Sequence, residues 1–401
     1  MRSNSLDLRQ EFNLFSAPKS ALGFTRLIDQ PNRPKTIDEI KSYLLERTIA
    51  HRNPMDGSRE ADVRRVLSKL DSMDPDLWAE LWSAEARPHE QIARDAEQHG
   101  DAELAHESFM LAYQYYRLAR FPCPNTEAKS LAAHLSRANY ISASRYFDPP
   151  LEVIDIPFEG LSGEGSSIRV YLRRPDGVAQ PPVAIQHGGI DGYKEERHRY
   201  AEPLLRRGIA SLAIDMPGTG ESPVKGGLHG ERIYATVLDY LERRTDLDGS
   251  RVGLIGGSFG GYWAAKAAHV FPERFAGVVD WGGGTHYGFQ PNWIESSRFA
   301  GSYLTDLIET RAHAFGLTSY EEWLQFAPSL SLLDQGLLDG EHAPMLLING
   351  RDDAQTPIED LYILLAHGSY KSARVFPGGH MGQTPETYPT IVGWIARQLL
   401  S

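Results

Sequence analysis

Residues 251–268 read Arg251-Val-Gly-Leu-Ile-Gly256-Gly257-Ser258-Phe259-Gly260-Gly261-Tyr-Trp-Ala-Ala-Lys-Ala-Ala268, and the fold is decided there. A short apolar run with the length of a buried strand leads into Gly256, and an Ala-rich, helix-forming run follows Gly260. Between them stands G-x-S-x-G. A strand that turns into a helix within so few residues forces the residue at the tip into a strained backbone conformation. Glycines are needed two positions before and after it, because side chains there would collide with strand and helix. Ser258 therefore projects at the edge of a sheet as a candidate nucleophile.

Working outward, the chain after Pro150 alternates short Val/Ile-rich runs with amphipathic segments. The runs are LEVIDIPF, SIRVYLRRP, PVAIQH, IASLAIDM, RVGLIGG, FAGVVDW, APMLLING and SARVFPG. Their alternation with helices near 197–207, 228–245, 260–270, 359–367 and 384–399 predicts an α/β fold with a mostly parallel, eight-stranded sheet covered on both faces. About sixty residues, 282–343, separate the sixth and seventh runs; that length predicts a helical insertion over the carboxyl edge of the sheet. Before Pro150 the period changes. Apolar residues recur every three or four positions from about 36 to 147, which predicts an all-helical region broken at Phe121-Pro122-Cys123-Pro124-Asn125. Asp148-Pro149-Pro150 then sets the expected boundary between a helical domain, 1–148, and an α/β domain, 149–401.

A serine hydroxyl is a weak nucleophile at neutral pH and needs a base and an orienting acid. In this fold order they follow as acid, then histidine. The segment Asn349-Gly-Arg-Asp352-Asp353-Ala-Gln-Thr-Pro357 is a strand running into a loop, and the G-x-x-D spacing selects Asp353, with Asp352 as rival and Glu359 third. His380, in Pro377-Gly-Gly-His380-Met-Gly382 after the last strand, is the expected base; His286 is the alternative and the better pocket wall. Acyl transfer also needs donors aimed at the developing oxyanion. The amide of Phe259 is one, and the loop Gln186-His187-Gly188-Gly189-Ile190-Asp191-Gly192 supplies another from Gly189 or Ile190. Asp215-Met-Pro-Gly218-Thr-Gly220-Glu-Ser222 reads as loop architecture.

Composition narrows the function class. With 41 Lys+Arg against 53 Asp+Glu, the net charge is −12, and no basic run exists to meet a phosphate backbone or anionic membrane. The single Cys123 makes no intrachain disulfide and no thiolate cage. The opening MRSNSLDLRQEFNLF lacks the apolar core of a secretory signal, and no apolar stretch approaches the roughly 20 residues of a membrane span; a cytoplasmic protein is expected. Neither H-x-x-x-H nor C-x-x-C is present, and GGSFGG carries no phosphate-binding lysine, so no metal or nucleotide cofactor is implied.

The span from about 150 onward resembles the α/β-hydrolases. GGIDGYKEE (188–196), GGSFGGYWAAKAA (256–268), THYGFQPNW (285–293) and NGRDDAQTPIED (349–360), together with the helical AYQYYRLARFPCPN (112–125), narrow the resemblance. It points to the group that holds 2,6-dihydroxypseudooxynicotine hydrolase, fungal heptaketide hydrolases and FrsA-like esterases. The resemblance implies a Ser258–Asp353–His380 triad, a helical domain that helps to close the site, a small-molecule substrate and often a homodimer. It implies cleavage of a C–C bond beside a carbonyl in an aromatic or polyketide-like compound, or of an ester or lactone; a hydrolase fold that only binds is the third reading. A pocket for an aromatic substrate needs aromatic and polar walls, for which Trp281, His286, Tyr287, Trp293 and Tyr116, with its neighbours Tyr113 and Tyr115, are the candidates.

Overall fold

The computed structural model describes residues 33–299 and 303–401. The first 32 residues of the expected helical domain, and residues 300–302 of the expected insertion, lie outside the described residues.

Among the described residues five helices come first: α1 (Ile37–Ile49), α2 (Glu60–Leu67), α3 (Pro75–Gln98), α4 (Ala102–Arg120) and α5 (Glu127–Ser144). Their starts are written in the sequence. Thr36 and Glu39 form a reciprocal capping box on α1, and Asp74, Asp101 and Thr126 each accept backbone N–H groups at the starts of α3, α4 and α5. At the other end of α4, Phe121 stands before Pro122 with extended backbone, so the helix stops at Arg120. α4 packs between α3 and α5, and Trp78, Trp82 and Tyr115 are buried between them.

The second part is an eight-stranded sheet: β1 (Glu152–Pro157), β2 (Ser167–Arg173), β3 (Pro182–His187), β4 (Ala210–Ala213), β5 (Asp248–Gly257), β6 (Gly277–Trp281), β7 (Met345–Gly350) and β8 (Ser372–Phe376). The strand order is β1-β2-β4-β3-β5-β6-β7-β8. β1 pairs antiparallel with β2 and β2 with β4, while every pairing from β4 to β8 is parallel. Strands β3 and β7 are buried along their whole length, as strands covered on both faces must be. β1 instead alternates between exposed and covered residues, because it is the sheet's edge.

One face of the sheet is covered by α6 (His198–Leu205) and α13 (Thr387–Leu400), which bury Leu204, Ile391 and Ile395 against Ile255, Val279 and Ile348. On the other face, α7 (Arg232–Glu242), α8 (Phe259–Val270) and α12 (Ile358–Ala366) join a cluster of buried apolar residues that continues into α1–α4. Among the described residues between β6 and β7 lie three short α-helices, α9 (Pro291–Ser297), α10 (Leu307–Ala314) and α11 (Tyr320–Phe326), which contribute Ile294, Ile308 and Trp323 to that cluster.

Register is what positions the site. His187 of β3 stands opposite Gly256 of β5, Gly257 opposite Trp281 of β6, and Gly350 of β7 opposite Phe376 of β8. The carboxyl ends of five strands therefore form one rim. The loops that leave it carry every residue of the expected triad.

Candidate active site

Ser258 leaves β5 with φ 56° and ψ −129°, an L-residue held where L side chains rarely go. What holds it there is the lack of side chains around it. A Cβ on Gly256 would lie 2.2 Å from the Gly260 carbonyl oxygen, and one on Gly260 would lie 2.3 Å from the Gly188 oxygen and 2.5 Å from His187 Nδ1. The elbow and the loop after β3 thus touch backbone to backbone. His187 below them is buried, its Nε2 paired with the Tyr234 hydroxyl at 2.9 Å. Burial draws its pKa down to about 4, so it is a neutral support.

The three loops converge. Ser258 Oγ lies 2.7 Å from His380 Nε2, and His380 Nδ1 lies 2.7 Å from Asp353 Oδ2. A carboxylate only accepts, so Nδ1 carries the proton and Nε2 presents its lone pair to the serine. The Asp353 side chain is fully buried. It is fixed by Asn349 Nδ2 at 3.0 Å on one oxygen and by the amides of Gln355 (2.7 Å) and Thr356 (3.2 Å) on the other. Of the three acids considered, Asp353 is the one in contact with His380. Asp352 lies beside Arg351, and Glu359 is buried in the first turn of α12.

Asn349 does more than hold the acid. Its Oδ1 accepts the amides of Gly350 (2.8 Å) and Met381 (3.0 Å), so one side chain ties the end of β7 to both the acid loop and the histidine loop. Met381 adopts φ 65°, and its carbonyl accepts Trp281 Nε1 at 2.6 Å. The histidine loop is therefore clamped on both sides.

Gly189 sits directly against the nucleophile. A Cβ there would lie 2.7 Å from Ser258 Cβ, 3.0 Å from Oγ and 3.3 Å from the Phe259 nitrogen. The main chain of residue 189 and the Phe259 amide accordingly flank the same hydroxyl, and Ile190 beside them is buried. The expected wall residues divide. Tyr287 and His286 lie on the loop after β6, whose amides from Thr285 to Gly288 all donate to the Asp360 carboxylate of α12. His286 Nδ1 pairs with Ser331 Oγ at 2.7 Å. Trp293 donates to the Gln355 carbonyl at 3.3 Å, next to the acid loop. Trp281 packs on the α13 face of the sheet against Tyr388. Tyr116 is 1% exposed and donates to Glu90 of α3; Tyr115 donates to Asp62, and Tyr113 packs on Tyr140. Tyr115 and Tyr116 belong to the interior of the helical region, whereas Tyr113 lies where it meets the sheet, in a cluster with Tyr140, Tyr171 and Ala213.

Sequence reading passed over the residues that hold the helical region to the rim. Glu196 accepts Arg117 Nη2 at 2.8 Å and Arg120 Nη2 at 2.6 Å, both from α4. Burial opposes its charge, but the two guanidiniums prevail and keep Glu196 below the usual carboxylate range. Next to it, the fully buried Lys194 meets Asp215 at 2.8 Å and Glu221 at 2.7 Å, which explains the Asp215 loop as architecture. The signal was present in the charged run Lys194-Glu195-Glu196, since three consecutive charges in the connection that follows a buried strand need partners. Elsewhere, Asp62, Glu85 and His89 bring ligand atoms within 4.8 Å of one another, yet Arg65 already bridges the two carboxylates.

A family model described as esterase FrsA-like matches residues 74–376. The chain belongs to the FrsA-like esterase family. Among curated relatives, the hydrolase ORFZ of Pyricularia oryzae is 29% identical over 234 residues, covering 53% of this chain and 54% of that protein. The 2,6-dihydropseudooxynicotine hydrolase of Paenarthrobacter nicotinovorans is 29% identical over 211 residues, 51% of this chain and 55% of that one. The chain thus spans about half the length of these two relatives. Esterase FrsA of Klebsiella pneumoniae is 27% identical over 322 residues, with 75% and 74% of the two chains covered. The crystal structure of 2,6-dihydroxy-pseudo-oxynicotine hydrolase superposes with a TM-score of 0.71 at 22% identity, covering 90% of this chain and 95% of that one. That likeness shows a shared α/β-hydrolase fold. Among the described residues no helix is long and apolar enough to cross a membrane.

Proposed function

We propose that this FrsA-like family member is a serine hydrolase that cleaves the C–C bond beside a carbonyl in an aromatic or polyketide-like small molecule. The observation that carries the reading is the unbroken chain from Ser258 through His380 to Asp353, with two links of 2.7 Å. Ser258 Oγ attacks the carbonyl carbon and His380 Nε2 takes its proton, while Asp353 stabilises the imidazolium. The Phe259 amide and an amide of Gly189 or Ile190 receive the oxyanion. Collapse breaks the C–C bond. Its electron pair passes to the neighbouring carbonyl as an enolate, and His380 returns the proton to carbon. Water then attacks the acyl-enzyme, again through His380, and releases a carboxylic acid and the free serine.

The helical region, 1–148, acts in this proposal as a cap on the α/β region, 149–401, held through Glu196 and its two arginines. An ester substrate is the second reading, favoured by the likeness to esterase FrsA over three quarters of both chains; there the leaving group is an alkoxide and the same residues act.

A fluorophosphonate probe tests the nucleophile. The wild type is expected to label and Ser258→Ala to remain unlabelled, with equal labelling of both defeating the assignment. Turnover of an aryl 1,3-diketone against p-nitrophenyl acetate separates the two substrates; rates far higher on the acetate favour the ester.

A further inference from the structure

Arg311 lies on α10 of the insertion and is 6% exposed. Its guanidinium carbon is 5.9 Å from the centre of the Phe259 ring, the residue that follows the nucleophile. Nη2 donates to the Gln355 carbonyl at 3.3 Å, an acceptor it shares with Trp293 Nε1, and Nε is buried with no partner. Among the described residues Arg311 forms no ion pair.

Two groups nearby bear on its charge, Tyr303 and Asp353. Neither neutralises it. Asp353 is already taken up by His380, Asn349 and two amides. Burial and the neighbouring Asp191 carboxylate hold the Tyr303 phenol well above its ordinary range, so it is an uncharged hydroxyl. Burial outweighs both groups and draws Arg311 down to about 10. A desolvated cation without a counter-ion is a costly arrangement for a folded chain. It is a useful one where a ligand supplies the opposite charge.

We propose that Arg311 receives a planar, delocalised two-oxygen anion of the substrate, the enolate of a 1,3-dicarbonyl or a carboxylate, beside Ser258. This deepens the hydrolase reading and rests on it for its position in the reaction. The planar fork of a guanidinium matches such an anion with two parallel N–H donors. In C–C cleavage Ser258 attacks one carbonyl of the diketo form, and the electron pair of the breaking bond moves onto the oxygen of the other carbonyl; Arg311 stabilises that leaving enolate before His380 protonates carbon. A simple ester of a neutral alcohol presents no such anion and gains nothing from it.

The test uses the full chain with Arg311→Met and Arg311→Lys. Titration calorimetry with sodium benzoate, and separately with benzoylacetone at a pH where it is the enolate and with Ser258→Ala added to each protein so that it is not cleaved, reads binding without turnover. The wild type is expected to bind, Arg311→Met to bind at least about tenfold more weakly, and Arg311→Lys to fall between, since it keeps the charge and loses the fork. Binding of benzoate alone assigns the site to carboxylates and of the enolate alone to dicarbonyls; both outcomes support the proposal. Fluorophosphonate labelling of Arg311→Met should persist, with an unchanged pH profile for p-nitrophenyl acetate and an equal or higher Tm, so that lost anion binding is not a lost fold. No binding of either anion by the wild type overturns the proposal. So does unchanged binding in Arg311→Met, or a shifted pH profile for the ester, which would make Arg311 a positioning residue for Asp353. A wild type that binds the anions but does not label at Ser258 overturns the hydrolase reading and leaves the anion site standing.

Discussion

The segment from Gly188 to Glu196 joins two buried polar clusters that follow opposite rules. At its far end, on the seam with α4, charge is matched: Glu196 takes Arg117 and Arg120, and Lys194 takes Asp215 and Glu221. At its near end, Gly188 and Gly189 press on an elbow held at φ 56°, and Arg311 has one shared carbonyl and the Phe259 ring beside it, with no carboxylate paired to it. The same side chain accordingly behaves in two ways. Burial lowers the pKa of all three arginines, but at the seam Glu196 and Tyr113 more than offset it for Arg117, and Tyr193 and Glu196 for Arg120, whereas at the rim nothing does so for Arg311. A seam satisfied within the chain is a scaffold. A rim left partly unsatisfied is poised for a ligand.

The contrast breaks first, if it is to break, at the proposed triad. Ser258→Ala and His380→Ala are expected to lower kcat by roughly 10⁴-fold or more, and Asp353→Asn somewhat less, with melting temperatures close to wild type. Loss of the fold in place of turnover would make the rim a scaffold as well. Glu196→Gln is the converse experiment. It leaves the buried Arg120 without its carboxylate and Arg117 with only the more distant Asp56 at 3.7 Å, and removing one partner of such a buried group costs about 3–5 kcal/mol, to be read from urea denaturation. A change below about 1 kcal/mol, the size expected of an exposed pair, would erase the distinction between seam and rim.

The smallest effect concerns an acid beneath the elbow. Asp280 is buried, and a Cβ on Gly261 would lie 2.2 Å from its Oδ1. Burial raises its pKa to about 7, with the Asp360 charge adding to the rise and the Gly283 amide opposing it. An unfolded aspartate titrates near about 3.9. Because the folded value is the higher one, the stabilisation from the retained proton is complete below about pH 4 and is lost as pH climbs toward 7. Asp280→Asn keeps an acceptor for Gly283 and never ionises. Its Tm should match wild type at pH 4 and exceed it at pH 8, and a deficit at both would show that Asp280 is needed for packing alone.

How much of this was legible in the sequence depends on the range of the cause. Gly256, Gly260 and Ser258 announce the elbow because the collisions that require glycine lie within a few residues and the adjoining loop. Asp353 and His380 are legible because each follows a parallel strand, and parallel strands bring their carboxyl ends to one rim. The face an aromatic side chain turns to is another matter. Trp281 and Tyr116 read as pocket walls, yet one clamps the Met381 carbonyl and the other meets Glu90, because neighbours distant in sequence select the face. Asn349, Asp360 and Arg311 escaped notice for the same reason: an asparagine within a strand, or a charge on a helix, declares its role only through partners across the fold.

By itself, then, the chain's order of residues determined the alternation of strand and helix, the strained turn and the spacing of three loops, since these follow from local sterics and hydrophobic period. The tertiary structure decided which charges are cancelled. Glu196 and Arg117 are 79 residues apart, and Arg311 is 44 from the carbonyl it touches. Electrostatic compensation depends on distance in space and on the exclusion of water, and neither quantity exists until the chain has folded.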